Sequence, residues 1–167
     1  MLIAHAPTGL LLAALLMPMK PATVSWQRWY LTGAVFGALP DVDMLWFYWV
    51  DQRQFHHHVY FTHWPIVWLL VSMVAGVAWG VWRKPWTAYA VLLGVAGMSH
   101  MVLDTVVGDI GWLKPWHDEL YAMFAVTNRY SPWQLNFIIH WSFALELALL
   151  ALSVWQWRRM SKRPVNG

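Results

Sequence analysis

Residues 86–107 read WTAYAVLLGVAGMSHMVLDTVV. The stretch meets the roughly 20 apolar residues that a membrane-spanning helix needs. It carries no Lys, Arg, Glu or Asp before Asp104. Its two ionisable side chains, His100 and Asp104, are four residues apart near its end, so a helix presents both on one face, about one turn apart. Ionisable groups inside an apolar span are costly and usually functional. This one segment therefore predicts an all-α membrane protein and says where its chemistry lies.

Outward from it, Trp64–Trp82 is a second unbroken span. Leu2–Met17 is a shorter one, ended by Pro18 and Pro21. Val24–Leu39 is stopped by Pro40-Asp41-Val42-Asp43, after which Met44–Val50 lies along the interface or continues as a short helix. Leu135–Trp157 is long enough to span but holds His140 and Glu146. The expected fold is a polytopic bundle of about five transmembrane helices forming one domain over residues 1–167. Composition agrees: 59% of the 167 residues are hydrophobic and 11% are charged, against about 25% charged in soluble domains. The N-terminus lacks a basic n-region and an obvious small-residue cleavage site, so it reads as a retained helix and not a signal peptide.

The charges then orient the bundle. Lys20, Arg28, Arg83, Lys84, Arg158, Arg159, Lys162 and Arg163 all fall on one side of five spans, leaving only Arg53, Lys114 and Arg129 of the 11 basic residues on the other. The positive-inside rule makes the first side cytoplasmic. The expectation is a multi-pass inner-membrane protein with a periplasmic N-terminus and a cytoplasmic C-terminus. The basic residues stand in ones and twos at the ends of apolar runs, which reads as topology signal and excludes a nucleic-acid partner. All 8 His and all 8 acidic residues fall at or near the periplasmic side. Trp and Tyr cluster at span ends, as interface belts do.

The chain has no Cys. A metal would therefore use His, Asp, Glu, backbone or water. His100 and Asp104 offer two ligands to one ion, or one to each of two; the plain alternative is a pair that locks helix to helix. Asp41 and Asp43, two apart on non-helical backbone, converge on a cation or bridge two, although Pro and Asp are also ordinary turn residues. His56-His57-His58 and Thr62-His63 form the densest imidazole cluster, in which adjacent residues do not all reach one site. His5 joins the set by its place at the periplasmic start of the first span. His140 and Glu146, six apart, lie on different helix faces; Glu146 orients a ligand His, carries a proton or bonds two helices. His117, Asp118 and Glu119 read as a solvated loop.

The order of motifs is distinctive: His5, then Leu39-Pro-Asp-Val-Asp43, His58-x4-His63 with Thr62, His100-x3-Asp104, and Gly111-Trp-Leu-Lys-Pro115-Trp116 followed by Asp118. From His5 to about Asp118 this resembles the bacterial membrane-bound metal-dependent hydrolases, the YdjM-like inner-membrane family. The family usually shows His-Arg-Gly-Phe-Thr-His where this chain has His58-Val-Tyr-Phe-Thr-His63. The resemblance favours His58 and His63 over the neighbouring histidines as ligands. A fainter similarity to zinc-dependent phospholipase C rests on the His-x3-Asp pair and the all-α architecture, and is an analogy only.

The resulting expectation is a metal-dependent hydrolase working at the periplasmic interface. His5, Asp41, Asp43, His58, His63, His100 and Asp104 would hold one or two divalent ions, with zinc the default and manganese or iron close behind. The ion would lower the pKa of a bound water toward about 7. His57, or a ligand carboxylate such as Asp104, would accept the proton. A site at headgroup depth suits a lipid or lipid-linked substrate, cleaved at a phosphoester or ester. Two rivals remain. One is a haem-binding membrane protein using His100 with His5, His63 or His140, which leaves the aspartates idle. The other is a metal or proton transporter, which should continue its polar groups into the cytoplasmic half.

Overall fold

A computed structural model describes Met1 and residues 3–162. Leu2 and Arg163, both used above, lie outside the described residues. Among these residues the chain is all-helical, with seven α-helices and four short 3-10 turns and no strand. Two helices are long and apolar enough to cross a membrane: α4 (Pro65–Trp82) and α5 (Pro85–Thr105). Each starts with Pro at its first position, where the missing N–H costs nothing. Arg83, in the left-handed region at φ 50°, makes the tight link between them. α5 packs along α4, with Gly94 against the Ser72 backbone and Gly97 against the Trp68 ring.

α1 (His5–Leu15) and α2 (Trp26–Ala38) form the other closely packed pair. Gly9 and Gly33 face each other so closely that a Cβ on either would overlap the other's carbonyl oxygen. Small residues at a crossing let two helices come into backbone contact. α1 is shorter than the expected Leu2–Met17 because the chain tightens into a 3-10 turn at Met17–Met19, around Pro18. After α2 comes the 3-10 turn Leu39–Asp43 and then α3 (Met44–Trp49), the short helix that was one of the two readings of that segment.

The expected span Leu135–Trp157 is corrected by the structure into two helices, α6 (Gln134–Ile139) and α7 (Ser142–Ser161). His140 is extended at ψ 144°, and its Nδ1 accepts from the backbone N–H of Ser142 at 3.3 Å and lies 2.9 Å from the Ser142 hydroxyl. A side chain that satisfies the first amides of a helix starts a new one at that point.

The two ends of the bundle differ in character. At the end holding the C-terminus of α1 and the starts of α2 and α5, the buried side chains are Ala13, Trp29, Tyr30, Ala88 and Leu92, closed by Met160 of α7. Trp29 donates its indole N–H to the Ala13 carbonyl at 2.8 Å, so even this indole is satisfied. At the other end the buried side chains are His5, Asp43, His58, His63, His100, Asp104 and Glu146. The outer face of α4 is bare: Val74 and Val77 are each 69% exposed.

Candidate metal centre

The centre is built on α5. His100 and Asp104 are buried, and His100 Nε2 lies 3.1 Å from Asp104 Oδ2. The other ring nitrogen of His100 is 2.7 Å from the Gly37 carbonyl. That carbonyl belongs to the last turn of α2, where helical carbonyls lose their partners. With Nδ1–H donated there, Nε2 is left with its lone pair facing Asp104.

The turn Leu39–Asp43 separates its two carboxylates. Asp41 Oδ1 faces His100 Nε2 at 3.4 Å and His63 Nε2 at 3.6 Å. Asp43 lies on the far side of the His63 ring and accepts from His63 Nδ1 at 2.6 Å and from the Thr62 hydroxyl. Sequence reasoning sent both aspartates to the ion; the structure places Asp41 among the converging donors and Asp43 behind His63. Burial pushes both carboxyls up, but contacts with histidines outweigh it. His100 and His63 hold Asp41 below the usual range, and His57 and His63 hold Asp43 at about 2. For His63, burial opposes the charged form, and Asp41 and Asp43 together raise its pKa. A carboxylate behind a ligand histidine fixes its tautomer and raises its basicity. Asp43→Ala is therefore expected to weaken metal binding roughly 10- to 100-fold without changing the number of ions bound at saturation, measured by competition with a chelating dye.

The triple histidine run divides its work. His58 is buried, its Nδ1 contacts the Gly108 carbonyl, and its Nε2 is 3.5 Å from Asp104 Oδ2. A Cβ at Gly108 would come within 2.8 Å of the His58 ring, so this approach depends on glycine. Burial holds His58 down at about 2, which keeps it neutral. His57 is partly exposed, with Nδ1 3.7 Å from Asp43 Oδ1. His56 turns back to accept from the His58 N–H at 3.3 Å.

His5 closes the cluster from α1. Its Nε2 is 3.1 Å from Asp104 Oδ1, and its ring stacks on His100 with centroids 3.6 Å apart. The α-amino group of Met1 also bonds Asp104. Glu146 of α7 holds this turn in place: its Oε2 accepts from the N–H groups of Ile3 at 2.5 Å and Ala4 at 3.1 Å. Of the three roles weighed for Glu146, the geometry shows a helix-to-helix bond that caps α1. His140 restarts α7, and Asp118 is exposed and paired with Lys114, away from the cluster.

These donors suit a divalent ion. His63 Nε2, His100 Nε2 and both nitrogens of His5 are buried without a hydrogen-bond partner among the described residues. One ligand atom from each of Asp41, His63, His100 and Asp104 lies within 4.8 Å of all the others, and His57, His58 and His63 form a second such group. Ligands about 2.0–2.1 Å from a tetrahedral zinc lie roughly 3.4 Å apart. The separations of 3.1 Å for His100–Asp104, 3.4 Å for Asp41–His100, 3.6 Å for Asp41–His63 and 3.8 Å for His63–Asp104 bracket that value. Two carboxylates and neutral imidazoles also match a charge of about +2. Beside the cluster opens a cavity of about 810 Å³, lined by Asp41, His57, His58 and Asp104 together with aromatic residues.

Residues 1–164 match the family described as YdjM inner membrane protein. The chain belongs to that family. The match takes in every donor of the YdjM chain's cluster, from His5 on α1 to Asp104 on α5, together with Glu146, and points to the inner membrane. No curated protein and no solved structure matches the chain. Several functional groups of this YdjM member were not foreseen. The Gly37 and Gly108 carbonyls carry no side-chain signal, and Thr62 bonds Asp43 across 19 residues of sequence.

Proposed function

We propose that this protein is a membrane-embedded metal-dependent hydrolase that cleaves a phosphoester or ester of a lipid at the periplasmic surface. The observation that carries the reading is the set of imidazoles whose Nδ1 atoms are tied to Gly37, Gly108 and Asp43 and whose Nε2 atoms turn toward Asp104. Side chains are held this way for ligation, because a purely structural cluster would not leave buried nitrogens unpartnered. Asp41, His63, His100 and Asp104 would hold one ion, with His58 and His5 on its flanks available to a second. When bound, the ion supplies Lewis acidity and lowers the pKa of a coordinated water toward neutrality. His57, partly exposed at the cavity and backed by Asp43, is placed to accept a proton.

The same reading takes α1, α2, α4, α5 and the α6–α7 segment as five spans, with the His and Asp end periplasmic. Charge placement supports it, as does the bare apolar face of α4, which a bilayer would cover. The packed apolar end around Trp29 and Leu92 favours a one-sided site over a transport path. The face-to-face stacking of His5 on His100 at 3.6 Å disfavours the two as axial haem ligands, which bind from opposite faces of the macrocycle.

Elemental analysis of detergent-purified protein, with an absorption spectrum of the same sample, tests the reading. One or two zinc, manganese or non-haem iron ions per chain are expected, lost in Asp41→Ala and His100→Ala, along with release of water-soluble product from lipid phosphates or esters. Protein that takes up no added metal, or a Soret band, would overturn it.

A further inference from the structure

Among the described residues, Arg53 is the one Lys or Arg side chain that lines the cavity beside the His and Asp cluster. Asp41, Asp104 and Asp109 also line it, with His56, His57, His58 and Gln54. The guanidinium lies 5.9 Å above the ring of Tyr48, another wall residue. The nearest acid in sequence, Asp51, is engaged by the Tyr60 hydroxyl and is not Arg53's partner. Gln52 and Arg53 are both in the left-handed region, at φ 49° and 64°, and Arg53 is pinned there by its N–H to the Phe47 carbonyl at 2.9 Å. Consecutive non-glycine residues in that region cost free energy and persist where the surroundings enforce them. Phe47, Phe55, Phe124 and Phe137 give the cavity a large aromatic share of its wall.

We propose that Arg53 is the anion-recognition residue of this cavity and that its ligand is an amphiphile bearing a phosphate group. A planar guanidinium that stacks on an aromatic ring and, among the described residues, pairs with no carboxylate suits bidentate contact with phosphate oxygens. The aromatic wall takes the hydrocarbon chain. A neutral ester would leave Arg53 without a partner, so the cavity selects the phosphate-bearing of the two substrate classes above. The proposal rests on the metal reading of the centre for what happens to the phosphate, but not for binding it.

Calorimetric titration of the purified full-length protein in neutral maltoside detergent tests this with three probes: dodecyl phosphate, dodecylglycerol and glycerol 3-phosphate. Metal content is measured on every sample. Arg53→Gln is expected to bind dodecyl phosphate roughly 10- to 100-fold more weakly, to bind dodecylglycerol unchanged, and to keep the wild-type metal content. Arg53→Lys, which keeps the charge but not the fork, should fall between. Glycerol 3-phosphate should bind far more weakly than dodecyl phosphate. Equal loss for both dodecyl probes would show a collapsed wall and overturn the proposal. So would unchanged binding in Arg53→Gln, no binding of dodecyl phosphate by wild type, or equal binding of the soluble phosphate. Because binding is read and not turnover, a protein without metal that still shows the Arg53-dependent difference would sink the hydrolase reading and leave this one standing.

Discussion

Asp104→Ala is expected to lower metal affinity by more than about 100-fold, beyond the 10- to 100-fold that loss of a supporting residue gives. No other side chain touches as much of the centre. Its Oδ1 faces His5 at 3.1 Å and the α-amino group of Met1, while its Oδ2 faces His100 at 3.1 Å, His58 at 3.5 Å and His63 at 3.8 Å. Alanine removes a ligand, half the carboxylate charge contributed with Asp41, and the point on which the imidazoles converge. Asp104→Asn keeps the shape and loses the charge, so it should lose most of the metal as well. Elemental analysis after gel filtration measures both, and an unshifted elution volume shows that the helices still assemble. Full metal in Asp104→Ala would mean that the ion, if any, sits elsewhere.

Removing the ion from wild type should lower the melting temperature by roughly 8–16 °C. An ion present at about 1,000 times its Kd contributes about 4 kcal/mol, and chains of this size shift by about 2–4 °C per kcal/mol. The structural reason is that the donors come from α1, the turn Leu39–Asp43, α5 and the segment between α3 and α4, so the ion ties separate elements together. The effect should depend on pH with a definite sign. Protons and the ion compete for His63, whose ion-free pKa is raised above the ordinary 6.5 by Asp41 and Asp43. The ion-dependent increment is therefore full at alkaline pH and shrinks as pH falls through that raised value. Melting curves with and without chelator, run across pH, check the size and the direction; identical curves would leave the centre without an ion to remove.

Much of this was legible in the sequence because periodicity is local. The four-residue spacing of His100 and Asp104 on an apolar helix fixes their shared face whatever surrounds them. His58 and His63 could be picked out beside their neighbours by motif spacing, but not by any property of the rings. What was not legible depends on the partner. Asp41 and Asp43 carry the same side chain two residues apart, and only the 3-10 geometry of Leu39–Asp43 sends one to the cluster and the other behind His63. The break at His140 depends on a single extended residue, which an apolar run of that length hides. Arg53 read as an exception to the charge asymmetry, since nothing in sequence joins it to Phe124 and Phe137 across the cavity.

The bond from Glu146 to the first amides of α1 also joins the earliest helix of the chain to the latest. A chain is made from its N-terminus, so α1 precedes α7 by most of the synthesis time. In the folded chain Glu146 supplies the acceptor for the Ile3 and Ala4 N–H groups, and a buried amide without one is costly. His5, first of the donors to be synthesised, is therefore braced from the last helix made, whereas the donors from Asp41 to Asp104 lie on segments completed before it.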